Sequence, residues 1–167
     1  MAFTIRIATP EDEEGVSAVL LASYSILLPA HYTAAEMAPM LPLIVKANPK
    51  LLSCGTYYVA VEDGAYLGCG GWTPAKHAPA GEATPGLGSI RHFATHPDHV
   101  RRGVGSALYR ESERTARLAG ITRFQCLSAL GAERFYETFG FVAEGRFDVP
   151  LADGVVMPST RMTKTLD

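Results

Sequence analysis

The chain has 167 residues, 47% hydrophobic and 19% charged, the balance of one soluble globular domain with a sizeable core rather than of a disordered chain. Lys plus Arg number 15 against 17 Asp plus Glu, a net charge of -2, which lacks the basic excess of a surface that tracks nucleic acid. The apolar runs fall far short of the ~20 residues of a bilayer span, and the opening MAFTIRIATPEDEEG has no signal-peptide pattern; a cytoplasmic protein without membrane or nucleic-acid partners is the expectation.

In chain order, FTIRIA (Phe3–Ala8) alternates apolar and polar residues and predicts a strand. Thr9 as cap, Pro10 at the first helical position and Glu11, Asp12 and Glu13 in the first turn predict a helix that breaks at Pro29. Thr33 with Glu36 forms a capping box for a second helix, which Pro39 and Pro42 are expected to interrupt. Thr56–Glu62 and Ala65–Trp72 flank Asp63-Gly64 as a hairpin, and a Pro/Gly/Ala-rich loop, Thr73 to about Gly88, follows. SIRHFAT (Ser89–Thr95) predicts a strand, Gly103–Ala119 a helix closed by Gly120, and TRFQCLS (Thr122–Ser128) a strand. GAERFYETFG predicts a short helix stopped by Gly140, and two last strands form a hairpin about Asp153-Gly154. The strand–helix–strand unit from Ser89 to Ser128 calls for a right-handed crossover and a parallel pair. One α/β domain over residues 1–167 results. Cys54, Cys69 and Cys126 have no metal-ligand spacing and read as reduced thiols, two or three of them buried; no metal is expected.

The stretch HPDHVRRGVGSALYR (His96–Arg110) packs two arginines and two glycines into Arg101–Gly105, between a strand and a long helix. The first N–H groups of a helix lack intrahelical partners and carry the positive end of its dipole. Glycines there let a phosphate reach the backbone, and Arg101 and Arg102 add positive charge. The alternative is a turn that only tightens the corner. A Walker loop would need lysine before Ser106, where Gly105 stands. A dinucleotide fingerprint would need glycine at Leu108.

HFATHPDHVRRGVGSALY (His92–Tyr109) resembles the acyl-CoA-binding core of the GNAT superfamily, the GCN5-related N-acetyltransferases. Gly103 and Gly105 fall on the glycines of its Q/R-x-x-G-x-G/A motif, and Val100 falls on the Gln/Arg position. SALGAERFYETFGF (Ser128–Phe141) is similar to the family's later motif through Phe135, Tyr136, Gly140 and Phe141, with Gly131 in place of the usual Asn. The resemblance implies a mixed, mostly antiparallel sheet, splayed at a central parallel strand pair, with helices on both faces. It implies acetyl-CoA as co-substrate. Backbone groups of Phe93, Ala94 and Thr95 would pair with the pantetheine arm, and Arg101, Arg102, Gly103, Val104, Gly105 and Ser106 would hold the diphosphate.

The implied chemistry is direct attack of a primary amine, of a small molecule or peptide, on the thioester. Tyr136 stands at the family's acid position. His92 has the right ordinary pKa for a base, and Arg91 beside it suits an anionic acceptor. Neighbouring strand residues face opposite ways, so both reach the acceptor only through a bulge. Trp72, Tyr24, Tyr32 and the loop after Trp72 are expected to wall the acceptor site, while His31, His77, His96 and His99 lie in loops and carry no assigned role. A catalytically silent acyl-CoA-binding or regulatory module is the alternative. The resemblance also allows a homodimer.

Overall fold

A computed structural model describes residues 2–75 and 84–167. The elements are β1 (Thr4–Ile7), α1 (Glu13–Leu27), α2 (Ala34–Ile44), α3 (Pro49–Leu52), β2 (Tyr57–Glu62), β3 (Ala65–Pro74), β4 (Leu87–Thr95), α4 (Val104–Leu118), β5 (Arg123–Ala129), α5 (Glu133–Glu137), β6 (Val142–Pro150) and β7 (Val156–Thr165). The strands form one seven-stranded sheet in the order β1-β2-β3-β4-β5-β7-β6. Every neighbouring pair is antiparallel except β4 and β5. No helix among the described residues is long and apolar enough to cross a membrane.

Two apolar layers sandwich the sheet. Val16, Val19 and Leu20 of α1 pack on Tyr57, Val59 and Cys69. On the opposite face Val104 and Leu108 of α4 pack on Tyr58, Ala60 and Leu67, and Tyr109 and Ala116 join Trp72, Phe124 and Met162. Leu20 and Leu108 are both 0% exposed, so truncating either to alanine costs about 3 kcal/mol. Just past Ala119, the C-cap of α4, Gly120 takes φ 84° and its N–H reaches the Arg117 carbonyl at 3.1 Å, the left-handed glycine that closes the helix.

Departures from the sequence reading are local, a one-turn helix α3 that it did not contain among them. Residues Pro10–Asp12 form a 3-10 turn before α1. Helix α2 runs unbroken through Pro39 and Pro42, where an interruption was expected. Each proline removes one N–H, but α2 buries only Met40 and Ile44, so its outer side is open to solvent where the freed carbonyls meet water. The capping box is present: the Glu36 N–H donates to Thr33 Oγ1 at 3.1 Å and the Thr33 N–H to Glu36 Oε1 at 2.8 Å.

Asp12 ties β1 to α1. Its carboxylate accepts from both Arg6 guanidinium nitrogens (2.9 and 2.7 Å), from the Thr9 N–H (2.8 Å) and from the Tyr66 hydroxyl (2.6 Å). The Arg6 hydrogen bonds hold the carboxyl well below the usual carboxylate range. A carboxylate whose pKa is lower folded than unfolded stabilises the fold above its unfolded value, about 3.9, and loses that contribution as pH falls below it. Thermal melting should therefore show a decline below about pH 4 in the wild type. Asp12→Asn should melt about 5 °C lower at pH 7, from a loss of about 2 kcal/mol, with a shallower acid decline. Parallel acid profiles for the two proteins would remove Asp12 from this role.

Candidate active site

Beyond Ser89 the central strands part. Pairing between β4 and β5 covers Leu87 with Arg123, Gly88 with Phe124 and Ser89 with Gln125, although β4 continues to Thr95 and β5 to Ala129. The split expected between these strands is therefore present, and the side of β4 from Ile90 onward that faces β5 has no ladder partner among the described residues.

The wide end of the split leads to the start of α4. Gly103 is its N-cap, with φ 78°, and no side chain among the described residues caps the helix. A Cβ on Gly103 would meet nothing within 4 Å, so glycine is required there by backbone conformation rather than by crowding. Gly105 is the reverse case. Its φ is ordinary, but a Cβ would lie 3.0 Å from Phe135 Cε1 and 3.6 Å from Thr95 Oγ1. The two glycines thus serve different purposes.

The arginines differ as well. Arg102 clamps Glu62 through its Nη2, at 3.1 and 2.9 Å from the two carboxylate oxygens, and its Nη1 lies 3.1 Å from His99 Nδ1. This anchors the corner to β2, so Arg102 is a brace rather than a mobile cation. Arg101, exposed and at φ 63°, keeps its charge at the surface of the corner.

A bulge breaks the β3–β4 ladder: Cys69 opposes Ala94 and Gly71 opposes Arg91, leaving Gly70 across from both His92 and Phe93. His92 takes φ 44°. The carbonyls freed by the bulge are captured from the α1 side. The Tyr57 hydroxyl donates to the His92 carbonyl at 2.8 Å, with Cys69 Sγ at 3.7 Å, and the Tyr24 hydroxyl donates to the Phe93 carbonyl at 3.2 Å. A trans peptide is planar, so the Phe93 N–H points opposite to the His92 carbonyl, away from Tyr57. His92 Nδ1 is buried and has no hydrogen-bond partner among the described residues. Burial, and then the nearby charge of Arg91, pull His92 down to about 4, which keeps its ring neutral at pH 7.

Tyr136 lies on α5, its ring edge-on to Phe93 (6.3 Å between centroids) and Phe141 (5.6 Å), in one buried cluster with Cys126, the β5 residue just past the last one paired with β4. Burial pushes its phenol well above the ordinary tyrosine value, so it stays protonated. Cys126 itself is pushed up to about 12 by burial and is inert as a nucleophile. Of the three cysteines, all free, Cys69 and Cys126 are buried and Cys54 is exposed.

The acceptor-side expectations fare unevenly. Arg91 pairs with Gly71 and donates to Thr73 Oγ1 at 3.1 Å, which places it on the sheet face that carries Tyr57 and α1. Trp72 is 3% exposed and faces the other way, donating to Thr115 Oγ1 of α4 at 2.9 Å; it is core, not a cleft wall. The Tyr32 hydroxyl is a structural latch, donating to the Pro158 carbonyl at 2.6 Å and accepting from the Leu130 N–H at 3.0 Å, although its ring also lines an open groove between α1 and α2. Most of the loop after β3, His77 included, lies outside the described residues. Gly131, where the family's asparagine is usual, takes φ 94°, and a Cβ there would lie 2.2 Å from His31 Nε2: the His31 ring occupies that side-chain space. Tyr24, Tyr57 and His31 were not singled out for these contacts, whose partners lie 69, 35 and 100 positions away in the chain.

A mixed sheet split at one parallel pair, with an uncapped helix start at the wide end of the split, defines the acyl-CoA N-acyltransferase class of fold. The family model described as acetyltransferase (GNAT) family matches residues 21–141. The chain belongs to that family, and is an acetyltransferase by membership. Solved structures agree in fold. A GCN5-related N-acetyltransferase from Rhodopseudomonas palustris is 24% identical over 99% of both chains, with a TM-score of 0.72. The PaiA N-acetyltransferase from Thermoplasma acidophilum, in complex with coenzyme A, is 16% identical over 99% of both chains, with a TM-score of 0.74. N-acetylglutamate synthase from Neisseria gonorrhoeae, complexed with coenzyme A and N-acetyl-glutamate, is 18% identical over 100% of this chain and 36% of its own, with a TM-score of 0.64.

Proposed function

We propose that the protein transfers the acetyl group of acetyl-CoA to a primary amine by direct attack. The observation that carries this reading is the coincidence of two features. The β4–β5 ladder ends at Ser89 and Gln125, and the helix that opens at the end of this gap has no side-chain cap. Two of the structural neighbours were solved with coenzyme A, which supports the same co-substrate here.

In this reading the diphosphate rests on the N–H groups of Gly103–Ser106 beside Arg101, while Arg102 holds the corner rigid through Glu62. The pantetheine arm replaces the missing ladder along Phe93, Ala94 and Thr95, as an added strand would. Tyr24 already takes the Phe93 carbonyl, so the group this residue would offer the thioester is its N–H. Aimed away from Tyr57, this N–H would donate to the thioester oxygen as negative charge develops on it. The amine nitrogen attacks the thioester carbon, the N–C bond forms and the C–S bond breaks. His92, neutral at pH 7 but made a weak base by its burial, passes the proton leaving the amine on to water rather than holding it, and Tyr136 gives its proton to the departing thiolate.

The test is release of the CoA thiol from acetyl-CoA across a broad panel of amines. Amine-dependent release is expected, with the N-acetyl product matching CoA one to one. Tight acetyl-CoA binding without release against any amine would instead mark a silent binding module and contradict the proposal.

A further inference from the structure

Three arginines of the described chain are half-buried: Arg91, Arg102 and Arg161. Two have a carboxylate within 4 Å. Arg102 holds Glu62 at 2.9 Å, and Arg161 has Glu144 at 3.8 Å. Arg91 has no carboxylate partner among the described residues; its guanidinium donates to the neutral hydroxyl of Thr73. A partly desolvated guanidinium without a counter-charge is unfavourable, and its remaining fork of donors matches a planar anion.

Its position gives that vacant anion partner a purpose. Arg91 stands one residue before the bulge, within electrostatic reach of both His92 and Tyr57. Ser89, two positions back, shares its face and is the last residue of β4 paired with β5, opposite Gln125. Leu127, two positions beyond Gln125 on β5, continues that face, pairs with Arg161 on β7 and is 36% exposed. The face therefore stays open where the strands part. The opposite mouth of the split is lined by Phe93, Phe135, Tyr136 and Phe141 and adjoins the start of α4, the cofactor end. An acceptor arriving from the open face meets Arg91 first and the bulge next.

We propose that the acceptor is an amine with a carboxylate on the adjacent carbon, a free α-amino acid, and that Arg91 binds that carboxylate. In an α-amino acid the carboxylate carbon and the amine nitrogen are about 2.5 Å apart, through one shared carbon. A carboxylate clamped at Arg91 thus sets the amine at the neighbouring bulge, beside His92, where the thioester is expected. Leu127 offers an apolar floor to the amino-acid side chain. This inference rests on the acetyl-transfer reading above and narrows it to one substrate class.

The experiment measures kcat/KM with acetyl-CoA for free amino acids, their methyl esters, their primary amides and the corresponding decarboxylated amines. The free acids are expected to be preferred at least tenfold, the range of a charge-assisted hydrogen-bonded pair. Arg91→Met should bring the acid-to-ester preference to about one, chiefly through KM for the acid, and Arg91→Lys should restore part of it. The melting shift with acetyl-CoA should persist in both variants, which shows that they fold and keep the cofactor site. Esters or simple amines used as well as acids, a preference unchanged in Arg91→Met, or acetyl-CoA binding with no amino acid acetylated would each overturn the proposal. If acetyl-CoA fails to bind the wild type, the transfer reading itself falls, and the acceptor proposal with it.

Discussion

Gly105→Val should lower the affinity for acetyl-CoA at least 100-fold while leaving the protein folded. A Cβ at this position already lies 3.0 Å from Phe135 Cε1 and 3.3 Å from its Cζ, tighter than ordinary contact. The added methyl groups of valine must push Phe135 aside or stand in the approach to the first turn of α4. The second outcome denies a phosphate the N–H groups it would accept from, so that several charge-assisted hydrogen bonds are lost together, and the first displaces an aromatic ring beside the same turn. Gly103→Ala is the instructive contrast. Its new Cβ meets nothing within 4 Å, and the penalty is the left-handed φ of 78°, about 1–2 kcal/mol of strain, so stability falls more than affinity does. Isothermal titration with acetyl-CoA, paired with a melting curve in its absence, separates the two effects. Native affinity in Gly105→Val would mean that the diphosphate docks elsewhere.

The second large effect is expected at Tyr136. Tyr136→Phe should lower kcat about 100- to 1000-fold and leave KM for acetyl-CoA within about threefold, because a positioned general acid acts in the transition state rather than in binding. The ring keeps its packing against Phe93, Phe135 and Phe141, so the lost hydroxyl costs only about 1 kcal/mol of stability. Burial holds the phenol protonated, which rules out a base role; because it also makes the phenol a weaker acid, the acid role depends on close positioning against the thiolate. Unchanged kcat would return Tyr136 to the core cluster as a packing residue.

The parts of the fold legible in the sequence are those governed by local chemistry. Gly103 opening α4 and Gly120 closing it, the Thr33–Glu36 box and the Asp63-Gly64 turn each depend on a few adjacent residues. The parallel pair followed from the strand–helix–strand order alone. Prolines 39 and 42 misled because the interruption rule is statistical, and a surface helix with only two buried side chains tolerates the missing bonds.

The glycine corner at the start of α4 was legible in the sequence and the bulge on β4 was not, for a physical reason. Glycines at a helix start advertise themselves in consecutive residues, whereas the bulge at His92 depends on Tyr57 and Tyr24, 35 and 69 positions away. Arg102 reads as a phosphate ligand in sequence and becomes a brace only because the fold brings Glu62 beside it. Trp72 reads as a cleft aromatic until strand alternation and the Thr115 hydroxyl turn it beneath α4. The choice between Arg91 and His92 could not be made on paper, because it required knowing that the ladder slips at Gly70.

The most direct measurement compares coenzyme A with pantetheine, which has the same arm but lacks the diphosphate and the phosphorylated adenosine beyond it, by isothermal titration against the intact protein and against Gly105→Val. If the bare amides at the start of α4 hold the diphosphate, coenzyme A binds at least 100-fold more tightly than pantetheine, and the advantage shrinks as salt screens the site. Equal affinity for the two compounds would contradict it.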